Sequence, residues 1–184
     1  MPGDGAWFPA VPGEGRKDTR VEKVSLYLDV DGVICPFGAT GQTDWGSAWS
    51  SADAGLLEVS YAGEVVDALN HLASRPGLRC VWLTSWEGMA PEYLCPAIGL
   101  AGQDWPVLVS DGLGGGDSWW KLQAIQQDIE TFAPDRAVWI DDQLEFERAA
   151  RAWALFLGAR LLLISPRPRR GLSVAELESV RAFL

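Results

Sequence analysis

Five short apolar runs punctuate the chain, and each gives way to polar or turn-forming residues. They are Val24-Ser25-Leu26-Tyr27-Leu28, Cys80-Val81-Trp82-Leu83, Pro106-Val107-Leu108-Val109, Ala137-Val138-Trp139-Ile140 and Leu161-Leu162-Leu163-Ile164. Short, β-rich and without alternation, they have the pattern of parallel strands buried on both faces. Helical patterns lie between them. The stretch Tyr61 to Ser74 holds an apolar stripe from Glu64 to Ala73 at Val65, Val66, Leu69 and Leu72. Trp119 to Phe132 carries one at Leu122, Ile125 and Ile129, with Ser118 or Asp117 as the expected N-cap. Leu144 to Leu157 reads as one long helix ending at Gly158, and Ser173-Val174-Ala175-Glu176 is a capping box that opens the last helix. Strand and helix alternate, which predicts a three-layer α/β/α domain around a mostly parallel, five-stranded sheet.

The 184 residues suffice for one such domain, expected over residues 21–184. Residues 1–20 are rich in Gly and Pro, show no periodicity and read as a flexible arm. Two stretches break the alternation: Pro36 to Ser60, read as a small cap-like insertion over residues 36–60, and Ser110 to Asp117 with its three consecutive glycines. Insertions that follow strand C-termini build or cover a ligand site.

Composition narrows the chemistry. Lys and Arg number 15 against 25 Asp and Glu, a net charge of −10. Such a chain is a poor bulk binder of nucleic acid, although a local basic groove remains compatible with it. No apolar run approaches the roughly 20 residues that span a bilayer, and Met1 to Arg20 has no apolar core of the signal type. Cys35, Cys80 and Cys95 form no C-x-x-C pair, which argues against a disulfide framework or a zinc site. A reduced, cytoplasmic protein with no membrane partner is expected. The single histidine, His71, falls in a helical stretch and is expected at a helix end or surface. Any catalysis therefore rests on carboxylates, hydroxyls and lysine.

Those groups follow the strands. Asp29 and Asp31 come after the first apolar run, Thr84 and Ser85 after the second, and Asp141 and Asp142 after the fourth; Lys121 lies in the first turn of the helix after the third. Open α/β sheets bind ligands outside their strand C-termini, so the fold brings these residues to one rim. Four clustered carboxylates repel one another, and a divalent cation relieves that repulsion. Oxygen ligands without histidine favour Mg²⁺ over zinc. A lysine near a helix N-terminus opposes the macrodipole, which hints at a partner anion.

Leu28-Asp29-Val30-Asp31-Gly32-Val33 resembles the first motif of the haloacid dehalogenase (HAD) superfamily of phosphatases. Leu83-Thr84-Ser85 resembles the second motif, Lys121 the third, and Trp139-Ile140-Asp141-Asp142 the fourth. The match runs from about residue 22 to about residue 166, with the motifs in family order. Thr84-Ser85-Trp86-Glu87 together with the Asp141-Asp142 segment is most similar to small HAD domains of RNA-repair proteins, of the polynucleotide phosphatase kind.

The resemblance implies a Rossmann-like core, a Mg²⁺ cofactor and an aspartyl-phosphate intermediate. It makes Asp29 the nucleophile and Asp31 the general acid and base. Thr84 and Lys121 would hold the phosphoryl group, with Gly32, Ser85 and Trp86 on the substrate side. The metal ligands would be Asp29, the Asp31 backbone carbonyl and Asp142, with Asp141 either a direct ligand or one step removed. Substrates would be phosphomonoesters, either small molecules or nucleic-acid ends such as a polynucleotide 3′-end. The alternatives are a catalytically silent phosphate-binding module and a phospho-acceptor signalling domain. In the latter the acceptor follows a middle strand and the lysine comes last, whereas here the D-x-D comes first. Trp45, Trp49, Trp86, Trp119 and Trp120 are rim candidates for base stacking or for packing of the insertion. Trp82, Trp139 and Trp153 are expected in the core. Arg167, Arg169 and Arg170 form a basic cluster, either solvated or a phosphate clamp.

Overall fold

The computed structural model describes residues 20–55, 57–115 and 119–184. The arm expected at residues 1–20 lies outside them except for Arg20. Four parallel strands form the central sheet: β1 (Val24–Leu28), β4 (Leu78–Trp82), β5 (Arg136–Ile140) and β6 (Leu161–Ile164), in the order β4-β1-β5-β6. A two-stranded antiparallel hairpin, β2 (Ser50–Asp53) and β3 (Glu58–Tyr61), occupies the insertion. The helices are α1 (Gly63–Ala73), α2 (Cys95–Ile98, entered through a π-helical turn at Ala90–Leu94), α3 (Trp120–Phe132), α4 (Arg148–Leu157) and α5 (Val174–Phe183). No helix among the described residues is long and apolar enough to cross a membrane.

Strand side chains point alternately to opposite faces, and here both faces are covered. Leu26, Leu28, Cys80, Trp82, Val138, Ile140 and Ile164 face a core built with α1 and α5. Tyr27, Val81, Leu83, Ala137, Trp139 and Leu161 face a second core built with α3 and α4. That is the three-layer arrangement the periodicities predict, and all five residues of β1 are buried. The stripe Val65, Val66, Leu69 and Leu72 is buried as expected, and the Ser173 capping box forms in full. His71 is exposed in the last turn of α1, and the three cysteines are free and buried.

Several local expectations change. The sheet has four strands rather than five, because Pro106 to Val109 contributes only a one-residue parallel bridge between Val107 and Trp82. The Pro106 carbonyl accepts from the Trp82 N–H and the Leu108 N–H donates back to Trp82. Pro106 has no N–H to extend this ladder, and Gly112 and Gly114 soon turn the chain away with positive φ. Tyr61 belongs to β3, so the helix of that stretch starts at Gly63. The helix expected from Leu144 starts at Arg148, because a 3₁₀ turn capped by Asp141 occupies Asp142–Glu145 first. Ser118 and Asp117 lie outside the described residues; the N-cap position of α3 is Trp119, which makes no side-chain cap. Trp82 and Trp139 are fully buried, whereas Trp153 is half-buried against the second core.

Helix α3 is pinned to the sheet by a polar contact. Asp128 accepts from the Tyr27 hydroxyl at 2.6 Å and from both terminal nitrogens of Arg79 at 2.7 and 2.9 Å. Arg79 also lies over the Phe132 ring, 4.4 Å from its centroid. The contact joins β1, β4 and α3, and so positions the helix that carries Lys121. Burial pushes the Asp128 carboxyl upward, but the hydrogen bonds from Arg79 and Tyr27 outweigh it and hold the group below the ordinary range. A carboxyl held below its unfolded value of about 3.9 contributes stability above that pH and loses it as pH falls through the folded value. Asp128→Asn should therefore lower stability at neutral pH and flatten the acid limb. Urea midpoints measured from about pH 6 to about pH 3 should fall less steeply in the variant than in the wild type.

Candidate active site

The strand ladders continue for one residue past the named strands and align the chemistry. The Asp29 N–H donates to the Ile140 carbonyl, the Leu83 N–H to the Leu28 carbonyl, and the Asp141 N–H to the Ile164 carbonyl. These bonds set Asp29 beside Leu83-Thr84 on one side and beside Asp141 on the other. Residues far apart in sequence thus meet at the C-terminal edge of the sheet, as the fold class requires.

Lys121 enters from the first turn of α3 and is buried, at 4% exposure. Its ammonium lies 2.8 Å from Asp29 Oδ2 and 2.7 Å from Asp141 Oδ2. The other oxygen of each carboxylate is held by backbone. The Val30 N–H donates to Asp29 Oδ1 at 2.8 Å, and the Gln143 N–H donates to Asp141 Oδ1 at 2.9 Å. Lys121 also lies 5.8 Å from the centroid of Trp119, which stacks on Trp139.

Asp29, Asp141 and Asp142 are all buried, and each offers a carboxylate oxygen within 4.8 Å of the others. Lys121 supplies one positive charge against these three. Burial lowers the affinity of Lys121 for its proton, but the charges of Asp29 and Asp141 reverse this and raise it. Burial and the Asp29 charge push Asp141 up to about 7 against the opposing pull of Lys121, and burial and Asp29 likewise raise Asp142. One ammonium is too little for three buried carboxylates. The hard oxygen donors and the surplus negative charge therefore fit a divalent cation.

The backbone is shaped around this cluster. Gly32 has φ 68°, and a Cβ there would lie 2.4 Å from Asp142 Oδ2. Two constraints thus meet at one glycine: a left-handed turn and close approach to a carboxylate. Ser165, the residue after β6, donates to the Asp142 carbonyl at 3.1 Å and accepts from the Glu145 N–H, bracing the 3₁₀ turn that carries Asp142. Ser165 was not singled out from sequence. Its one available signal is the recurrence of polar residues directly after strands.

Thr84 is fully buried, and its hydroxyl oxygen accepts from the Trp86 N–H at 3.3 Å; Ser85 is exposed. Asp31 is half-buried, and its carboxylate lies outside the three-aspartate group, where Oδ2 accepts from the Trp86 indole N–H at 3.1 Å. Burial, with the nearby Asp29 charge adding to it, raises Asp31 despite that hydrogen bond. Trp86 itself is 5% exposed and packs in the first core. Trp45 and Trp49 pack against that core too, and the Trp45 indole donates to the Leu172 carbonyl. Trp120 packs with Trp119 against the second core. Arg170 pairs with Asp44 of the insertion, while Arg167 and Arg169 are exposed. A groove of about 700 Å³, lined by Arg151, Leu155, Leu161 and Leu163 among others, includes none of the site residues.

A parallel α/β sheet with a lysine-bound aspartate cluster at its C-terminal edge defines a HAD-type domain. Residues 25–177 match the family model described as the HAD domain in Swiss Army Knife RNA repair proteins, and the chain belongs to that family. Among solved structures it resembles the HAD domain of the effector protein Lem4 from Legionella pneumophila, with a TM-score of 0.57 and 11% identity over 90% of this chain and 95% of that one. An inactive mutant of the same domain superposes equally, with 94% of that chain covered. At this identity the likeness establishes the fold. No curated protein matches the chain significantly.

Gly32→Ala tests the cradle. The added methyl must displace the Asp142 carboxylate. The variant should bind Mg²⁺ or Mn²⁺ at least about tenfold more weakly than the wild type, read by calorimetric titration, while keeping its far-ultraviolet circular dichroism.

Proposed function

We propose that this chain is a magnesium-dependent phosphomonoester hydrolase that works through an aspartyl-phosphate on Asp29. The observation that carries the reading is the position of Asp29, buried and gripped by Lys121 at 2.8 Å inside a group of aspartates suited to a divalent cation. A carboxylate anchored by a backbone N–H and an ammonium is oriented for attack, and the same ammonium neutralises charge as a phosphoryl group arrives.

Asp29 and Asp142, with the Asp31 carbonyl, would hold Mg²⁺, which when bound supplies charge neutralisation for a phosphoryl oxygen. Asp141 meets Lys121 through Oδ2 at 2.7 Å, so it would hold Lys121 against Asp29 and stand beside the cation as a direct ligand or one step removed. Asp29 forms the new bond to phosphorus while the ester oxygen departs, and Asp31 gives that oxygen a proton. Asp31 then removes a proton from the water that cleaves the acyl phosphate. Thr84 and Ser85 stand next to this edge as phosphoryl contacts, and Gly32 allows the turn that brings Asp31 round.

The family description supports a nucleic-acid substrate, a nucleotide or a polynucleotide 3′-end. The exposed Arg167 and Arg169 are suited to a terminal phosphodiester. The net charge of −10 favours short substrates over a long polyanion. Free, buried cysteines support a reducing, cytoplasmic setting.

The test is release of inorganic phosphate from an aryl phosphate with and without Mg²⁺. Wild type should turn over only with the metal, and Asp29→Asn should lose at least about a thousandfold, because the amide is a poor nucleophile. Undiminished turnover by Asp29→Asn would refute the mechanism.

A further inference from the structure

We infer that Trp86 is a positioning residue for proton transfer: its indole N–H holds Oδ2 of Asp31 and leaves Oδ1 to carry the transferred proton. The inference rests on the phosphatase reading above and goes beyond it.

The geometry is constrained from both ends. The indole nitrogen lies 3.1 Å from Asp31 Oδ2, and among the described residues no other side chain or backbone N–H bonds to that carboxylate. Trp86 has little room to move. Its ring is buried, its N–H donates to the Thr84 hydroxyl, and its carbonyl accepts from the Met89 N–H. The turn is closed by the Glu87 N–H on the Thr84 carbonyl and forces Glu87 to φ 45°, a left-handed conformation unfavourable for glutamate. The Glu87 carboxylate fastens that conformation by accepting from the N–H and hydroxyl of Ser110, at 2.8 and 2.7 Å. A strained residue clamped directly after Trp86 indicates that the turn is built to hold its neighbour in place.

The chemistry suits the role. An indole N–H only donates, so it needs an acceptor oxygen opposite it at Oδ2. The carbonyl oxygen of a carboxylic acid is the stronger acceptor, so the indole on Oδ2 favours Oδ1 as the oxygen that carries the proton. A neutral donor also orients the carboxyl in both protonation states, whereas Lys or Arg at this place would hold it ionised. In the first step the Asp29 oxygen–phosphorus bond forms as the phosphorus–ester oxygen bond breaks. The leaving oxygen keeps the electron pair and takes the proton from Asp31 Oδ1. In the second, water attacks phosphorus and gives its proton to that same oxygen, and the acyl phosphate bond breaks to restore Asp29.

Leaving-group dependence separates this role from simple packing. A dinitrophenolate leaves without protonation, whereas an alkoxide does not. The measurement is kcat/KM, which reports the steps through loss of the first product, on dinitrophenyl phosphate and on an alkyl phosphate, both with Mg²⁺. Two variants are compared with wild type: Trp86→Phe, and a protein carrying benzothienylalanine at position 86, where sulfur replaces the N–H and the ring shape is kept. Asp31→Asn serves as the reference for complete loss of the acid. Both Trp86 substitutions should lose at least about tenfold on the alkyl ester and less than about threefold on the dinitrophenyl ester. Equal losses on the two esters, or no loss with the benzothienyl ring, would overturn the inference and leave the phosphatase reading standing. Absence of wild-type turnover on both esters would overturn the two together.

Discussion

Lys121 is the charge around which the site closes. Its ammonium is buried between Asp29 and Asp141, and removing it would leave both carboxylates without a counter-charge in a water-poor place. Such a triad costs desolvation to assemble, and its stability depends on geometry that several elements must supply together. Strands β1 and β5 set the two carboxylates side by side through the Asp29 to Ile140 hydrogen bond. Helix α3 delivers the lysine, and the Asp128 contact to Tyr27 and Arg79 pins that helix at its other end. The Trp119–Trp139 stack, at 5.0 Å, seals the lysine from the side.

This arrangement leaves a deliberate imbalance. Three buried carboxylates share one ammonium, and the upward pull on Asp141 and Asp142 records the deficit. A divalent cation held there would convert the deficit into binding energy. The backbone makes room for that outcome at Gly32, where the close approach of Asp142 admits no side chain. Asp31 stands apart from the cluster, turned toward Trp86 instead. Two aspartates only two residues apart thus have different surroundings, one set in a field of charge and the other held by a neutral donor.

Much of this was legible in the residues. Both-face burial of the strands follows from their unbroken apolar runs, and the site follows from where polar residues interrupt them. Structure departs from side-chain pattern where backbone hydrogen bonding overrides it. Pro106 to Val109 has strand composition, yet proline cannot extend the ladder past a single bridge. Leu144 looks like the start of a helix, but the Asp141 side chain captures the Gln143 N–H and imposes a 3₁₀ turn first. Trp86 sits among polar motif residues, where stacking on a ligand and packing are both open to it; its ring is 5% exposed and packs in the first core.

The sequence by itself determined the layer architecture and the gathering of Asp29, Asp141, Asp142 and Lys121 at one sheet edge. These depend on periodicity, order and composition, which one dimension records in full. Only the tertiary structure decided which oxygen each donor occupies: Lys121 on Asp29 and Asp141, the Gly32 backbone against Asp142, the Trp86 indole on Asp31. Those contacts join segments tens of residues apart, and their distances are set by strand register and turn geometry, which local residue pattern does not encode.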